Sequence, residues 1–327
     1  MEIIKSNYYH GSSCINNFNK EIYKNDVKRL DNEMNKIFLQ VNEQIIHIIP
    51  QSYCLDGTTN IDDPIGMIGS KLEGDYYIVT ANTNSVNNIV KCINRCGVEI
   101  NKITIAPINE YNALVSNMNK KYIIGYIKIN EYNTIFSIFK KGKLNYSTLI
   151  PIGFKNIVND IVNILEVSEY QAILLIKKFG NILYNDDMIN HVISINYSNR
   201  YVSMYNLNGI IKSHIIKIIE EIKGHIFNAK ISKLSQFNYF IINSLYEVEN
   251  IDKFFQAQLH TNITAPKICE QYGINFNNLD YSYAAALGAC FNDDDIQENS
   301  DFKNTNDQGN NGFMKKIFLK FKKNFME

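Results

Sequence analysis

The chain has 327 residues, 45% hydrophobic and 20% charged, enough apolar material for about two globular domains. Its 33 basic and 33 acidic residues cancel to a formal net charge of zero, which argues against bulk binding to nucleic acid and directs attention to local charge. The six cysteines, at 14, 54, 92, 96, 269 and 290, show no framework of paired spacings, so they read as free thiols of a reducing, cytosolic compartment, and no apolar run approaches the roughly 18 residues of a spanning helix.

Residues 1–20 carry no periodicity that predicts a strand. Val27, Leu30, Met34, Ile37 and Phe38 predict a helix over 25–38. The β-branched run Gln44 to Leu55 predicts a strand closed by the Asp56-Gly57 turn, with Pro50 at an edge or a bulge. Residues 58–70 read as a loop, 71–80 as a strand and 85–96 as a helix stopped by Gly97. A third strand is expected over 98–106.

Strands follow over 122–129, 134–139 and 144–150, the last pair joined by a Lys140-Lys141-Gly142-Lys143 turn. A helix is expected over 157–165, and Ser168 with Gln171 opens another that Gly180 ends. Short strands at 191–197 and 200–205 precede a long helix over 207–227, a strand at 238–243, a helix at 248–255 and a small-residue helix at 281–291. The order describes a mixed α/β layer architecture.

The last segments are compositionally distinct. Residues 292–311 are acidic, Asn-rich and nearly free of aliphatic side chains, which predicts a disordered tether spanning about 25 Å. Over 312–327, Phe313, Met314, Ile317, Phe318, Phe321 and Phe325 share one helical sector, and Lys315, Lys316, Lys320, Lys322 and Lys323 take the opposite side. That pattern suits a helix lying in the plane of an anionic membrane surface; the alternative is a helix docked on its own core.

No motif points to an enzyme. The six histidines are scattered, none at metal-ligand spacing with Cys, Asp or Glu, and His47 reads as a satisfied structural histidine. Neither a nucleophile elbow nor a Walker or dinucleotide glycine pattern is present.

His47-Ile-Ile-Pro50-Gln51-Ser-Tyr53, Asp56, and Asp63-Pro64-Ile-Gly66-Met-Ile-Gly69-Ser-Lys71-Leu-Glu73 resemble the signature block of FtsA, the actin-like bacterial family that ties the division ring to the inner membrane. Asn88 to Gly97, Ile150-Pro151, Asp160, the 281–288 helix and the amphipathic tail fall in the family's order. The resemblance implies an actin/Hsp70-like α/β fold lacking the first part of subdomain 1A. Residues 1–102 correspond to an inserted α+β subdomain 1C that contacts neighbouring protomers, 103–120 to a remnant of 1A, and 121–291 to 2A and 2B.

The family binds ATP through glycine-rich loops. Here Lys128, Asn130, Glu131, Tyr132 and Asn133 stand in the phosphate loop and Ser244-Leu245 at a later glycine pair. Glu131 sets a negative charge where phosphate belongs and Tyr132 is expected to fill the space, so no nucleotide cofactor is expected. The resemblance further implies that a 2B helix receives the C-terminal peptide of FtsZ, with Lys212, His214 and Lys217 as contacts. It implies self-association, other division proteins and anionic lipids as partners, at the cytoplasmic side of the inner membrane. Two alternatives stay open: an actin-like ATPase with unconventional loops, and a decaying remnant without a stable fold.

Overall fold

The computed structural model describes residues 4–14, 20–100, 102–115, 119, 121–183, 191–194, 201–229, 234–266 and 283–290. The expected tether at 292–311 and amphipathic helix at 312–327, with Phe313, Met314, Lys315, Lys316, Ile317, Phe318, Lys320, Phe321, Lys322, Lys323 and Phe325, lie outside the described residues.

The first part of the chain runs β1 (Ile4–Cys14), β2 (Lys20–Glu21), α1 (Lys24–Met34), β3 (Glu43–Leu55), β4 (Thr58–Ile61), β5 (Ile68–Gly69), β6 (Lys71–Asn82), α2 (Thr83–Arg95) and α3 (Ala106–Leu114). A four-stranded sheet takes the order β1-β6-β3-β4. The expectation of no strand before residue 20 is corrected, since β1 pairs with β6 along its whole length, from Ile4↔Ala81 to Cys14↔Lys71. Its run of polar residues Lys5, Ser6, Asn7, His10 and Ser12 hides any apolar alternation, although Tyr9 packs on the core. The loop expected at 58–70 likewise contributes the short strands β4 and β5.

Pro50 sits at a register shift between Pro50 and Ser52 of β3, and β4 pairs with β3 only at Tyr53 and Leu55. Both the bulge and the one-sided pairing accommodate its missing N–H. One face of this sheet packs on α1 through Leu30, Met34, Tyr53, Leu72, Tyr76 and Ile78. Along β6 the burial alternates from Lys71 to Asp75 and is then continuous from Tyr76 to Ala81. Half of the strand therefore shows its second face to solvent, and the other half is covered on both faces.

The strand expected over 98–106 does not form; the described residues there are irregular until α3 begins with Pro107 in its first turn. Pro107 suits a helix start, and the Ile105 N–H donates to Nε2 of His47 at 3.2 Å instead of to a ladder. His47 is thus the satisfied structural histidine that its strand context suggested.

The second part runs β7 (Ile123–Ile129), β8 (Thr134–Lys140), β9 (Lys143–Ile150), α4 (Phe154–Leu165), α5 (Glu169–Phe179), β10 (Val192–Ser194), β11 (Tyr201–Ser203), α6 (Met204–Asn228), β12 (Tyr239–Ser244), α7 (Ile251–Leu259), β13 (Ile263–Thr264) and α8 (Ala284–Cys290). The helix expected at 248–255 lies a turn later, as α7. Its five-stranded sheet has the order β13-β12-β7-β8-β9, with β7-β8-β9 an antiparallel meander and β12 parallel to both β7 and β13. The β8–β9 hairpin turns on Lys141 and Gly142, both with positive φ, as the turn residues require.

Helices cover both faces. One core joins α4, α5, α6 and α7 to β7, β8 and β12, and α6 buries Ile211, Ile215, Ile218, Ile219, Ile222 and Ile226. Each such isoleucine contributes about 1.5–3 kcal/mol, which overrides the weak helix propensity of β-branched residues. On the other face α3 and α8 join Ile124, Tyr126, Phe139, Leu144 and Ile241 with Tyr77 and Val79 of β6. The doubly covered half of β6 is therefore where the first sheet meets the second.

Candidate functional site

In open α/β sheets, ligands bind in the crevice outside the carboxyl ends of the parallel strands. Here that place is the end of β7 and β12, where the β7–β8 hairpin carries Asn130, Glu131, Tyr132 and Asn133. The hairpin closes on itself: the Asn130 N–H donates to the Asn133 carbonyl at 2.8 Å, and the Asn130 amide donates to Asn133 Oδ1 at 3.0 Å. Its carbonyls then cap α4. The Phe154 N–H donates to Asn130 O at 3.0 Å and the Lys155 N–H to Glu131 O at 2.6 Å.

Gly153 makes this approach possible, because a Cβ there would lie 2.5 Å from Asn133 N, 2.6 Å from Glu131 O and 2.7 Å from Asn130 O. Tyr132, expected to fill the space, is instead 65% exposed, and the start of α4 fills it. Hydrogen bonding to Glu131 raises the Tyr132 phenol above its usual range. At the neighbouring strand end, the Leu245 N–H donates to Ile129 O at 3.0 Å and Ser244 Oγ to Tyr246 O at 2.7 Å.

The described residues at this hairpin do not fit the phosphates of a nucleoside triphosphate. The free N–H groups that an anion needs at a helix start are donated to the hairpin carbonyls at Phe154 and Lys155, and a phosphate would face carbonyl oxygens and the Glu131 carboxylate.

Beneath the hairpin lies a group that the sequence reading did not single out. Ile124, Tyr126 and Lys128 of β7, with Ile241 and Asn243 of β12, share the face toward α3. Glu110 of α3 is 1% exposed. Its Oε1 accepts from Lys128 Nζ and its Oε2 from the Tyr126 hydroxyl at 2.5 Å, while Asn243 Nδ2 lies 3.5 Å from that hydroxyl. Burial first, and the Glu110 carboxylate second, hold the Tyr126 phenol well above its ordinary pKa, so it stays a donor. The available signal was Lys128 itself, a cation on the inward register of an apolar strand, which requires a buried partner.

The three residues expected to receive a peptide separate in the structure. His214 is buried and its Nε2 pairs with Asp160 Oδ2 of α4 at 2.7 Å, so it ties two helices together and does not face a partner. Lys212 lies over the Phe254 ring of α7, 5.7 Å from its centroid. Lys217 is exposed, one turn beyond Ser213 on the solvent stripe of α6. That stripe borders a shallow groove of about 400 Å³ lined by Ile164 of α4 and Tyr205, Asn206, Gly209, Ile210 and Ser213 of α6. Ile164 is 60% exposed at its rim.

Residues 2–80 match the family model of the SHS2 domain inserted in FtsA. The chain is 30% identical over 159 residues to the cell division protein FtsA of Borreliella burgdorferi, covering 49% of this chain and 38% of that protein. It is 29% identical over 177 residues to FtsA of Bacillus subtilis, covering 54% and 40%. Against FtsA of Buchnera aphidicola subsp. Baizongia pistaciae it is 24% identical over 215 residues, covering 64% and 51%. The chain thus spans about half or less of the length of these relatives. Among solved structures, the PilM-PilN type IV pilus biogenesis complex matches with a TM-score of 0.60 at 9% identity, over 88% of this chain and 76% of that one. MreB5 of Spiroplasma citri bound to ADP matches with a TM-score of 0.48 at 15% identity, over 67% of each chain. The mixed α/β fold resembles that of the matched chain of the pilus biogenesis complex, its first sheet lies in the residues that match the SHS2 domain inserted in FtsA, and the chain is similar to the cell division protein FtsA over about half of its length.

Proposed function

We propose that this chain is a division adaptor that links the FtsZ ring to the cytoplasmic face of the inner membrane. The observation that carries the reading is the match of residues 2–80 to the SHS2 domain inserted in FtsA. The membrane half of the proposal is supported by the tail, where five lysines oppose Phe313, Met314, Ile317, Phe318, Phe321 and Phe325. Each lysine near an anionic surface contributes about 1 kcal/mol, and the aromatic side chains add burial. One such helix binds reversibly, so lateral association of the SHS2 sheets supplies avidity. Its surface includes the exposed Tyr23, Ile65, Met67 and Ile68.

The ring half is supported by the α4–α6 groove, which offers Ile164, Tyr205 and Ile210 to an apolar side chain with Lys217 one turn away for an acidic one. Helix-flanked apolar grooves of this kind receive short peptide segments. In this reading residues 1–102 act as the self-associating layer, 121–291 as the receptor for the ring, and 292–311 as the tether.

A single recruitment assay tests both halves. A fluorescent FtsZ C-terminal peptide, anionic vesicles and the full chain are mixed and sedimented. The peptide should pellet only when the chain is present. Phe318→Glu/Phe321→Glu should release the chain from vesicles while leaving peptide binding in solution intact. Ile210→Glu should do the reverse. Co-sedimentation untouched by the tail substitutions, or peptide binding untouched by Ile210→Glu, would remove the corresponding half.

A further inference from the structure

At the carboxyl ends of β7 and β12, on the face toward α3, the side chains turn from apolar to polar: Ile124 and Tyr126 give way to Lys128, and Ile241 to its register partner Asn243. Ligands of open α/β sheets bind outside the carboxyl ends of the parallel strands, and this cluster lies just beneath that end. What meets these groups here is Glu110, a carboxylate that is 1% exposed and is delivered by α3. Lys128 and Tyr126 each donate to one of its oxygens.

Helix α3 does not arrive alone. Gly288 of α8 lets the two helices touch, since a Cβ there would lie 1.7 Å from the Asn109 carbonyl oxygen. The residue before Glu110 is therefore pinned by α8, and Ala284 shares its core with Tyr111, Ala113 and Leu114.

We propose that Glu110 is a built-in ligand: its carboxylate takes the position of a bound anion and locks the α3–α8 pair on the sheet through Lys128 and Tyr126. The bridge between helix and strand ends is thus encoded in the chain and needs no diffusible anion. Glu110 and Lys128 act as positioning residues, and the body of the adaptor holds one state irrespective of nucleotide. The inference is independent of membrane or ring binding, because none of its residues belongs to the tail or to the α4–α6 groove.

The test is thermal unfolding of the purified full chain with a double-mutant cycle and anion rescue. Breaking a buried pair leaves an uncompensated charge, so Glu110→Ala and Lys128→Met alone should each lower Tm by roughly 10 °C at this chain length. Glu110→Leu/Lys128→Met should recover at least half of that loss. Sodium acetate or inorganic phosphate at tens of millimolar should raise the Tm of Glu110→Ala toward wild type and leave wild type unmoved. If the single variants do not fold, wild type decides: no shift with MgATP or phosphate at millimolar concentration supports the lock. A rise of several degrees in wild type, strictly additive losses in the cycle, or no rescue of Glu110→Ala by either anion would overturn it.

Discussion

On the solvent half of the SHS2 sheet, His10 of β1 stands between two carboxylates of β6, with Nδ1 2.9 Å from Asp75 Oδ1 and Nε2 3.5 Å from Glu73 Oε1. The hydrogen bond with Asp75 is the largest influence on the ring, and together with Glu73 it outweighs desolvation and raises the pKa above the ordinary 6.5. A raised histidine pKa means the folded state binds the proton more tightly than the unfolded state. The stabilisation is therefore full below about pH 6.5 and fades as pH rises through the folded value. The side chain is 58% exposed, so solvent and salt screen the contact and its contribution is at most about 1 kcal/mol. Urea unfolding at pH 5.5 and 8.5 should show wild type losing more stability across that interval than His10→Gln does. An equal loss in both proteins would mean that the contact contributes nothing to folding.

At the scale of elements, the least replaceable contact is between the β7–β8 hairpin and the first turn of α4. Gly153→Ala puts a methyl group against backbone atoms on three sides, at 2.5–2.7 Å, and backbone cannot rotate away as a side chain can. The hairpin must retreat, lengthening the bonds from Phe154 N and Lys155 N, for a combined cost of about 3 kcal/mol from overpacking and lost hydrogen bonds. Chemical denaturation should register that loss, with faster amide exchange at Phe154 and Lys155; protected amides would show that the hairpin had not moved. This contact was invisible in the sequence because backbone carbonyls make it, and they leave no side-chain signature. The elements themselves were largely legible. The meander β7-β8-β9 announced itself by alternation and the Lys141-Gly142 turn, and α5 by the Ser168–Gln171 box, whose Ser168 Oγ accepts from Gln171 N at 3.3 Å. The misses have physical causes. β1 is an edge strand of polar residues, and 98–105 has strand-like composition but spends its Ile105 N–H on His47. Within the cluster, Lys128 falls in the loop that the resemblance marks as lost, although its inward register requires the acidic partner that α3 supplies.

For the molecule as a whole, the decisive junction is at β9, the terminal strand of the five-stranded sheet. A strand with an unpaired side is a template for unwanted pairing, and here side chains of the SHS2 sheet close it. Tyr8 donates its hydroxyl to Asn145 O at 2.6 Å, Gln51 Nε2 donates to Leu144 O at 3.0 Å, and the Ser147 N–H donates to the Tyr77 hydroxyl at 2.7 Å. Asn145 Nδ2 completes the seam by donating to Gln51 Oε1 at 2.9 Å. Tyr77 is the centre of the seam. It is 1% exposed, its hydroxyl also donates to Ser6 Oγ at 2.5 Å, and burial pushes its phenol up to about 12, so it serves as donor and acceptor at any physiological pH. Tyr77→Phe keeps the ring and its packing but leaves the half-buried Ser147 N–H without its acceptor, a loss of about 1–3 kcal/mol. The expected consequence is a Tm lower by roughly 3–10 °C. Amide exchange should accelerate at Asn145 and Ser147 and stay unchanged in β7 and β12. Adding Gln51→Ala should extend the acceleration along β9 and raise the tendency to associate through the opened edge. If exchange instead rises uniformly across both sheets, the junction does not open separately, and the two sheets unfold as a single cooperative unit.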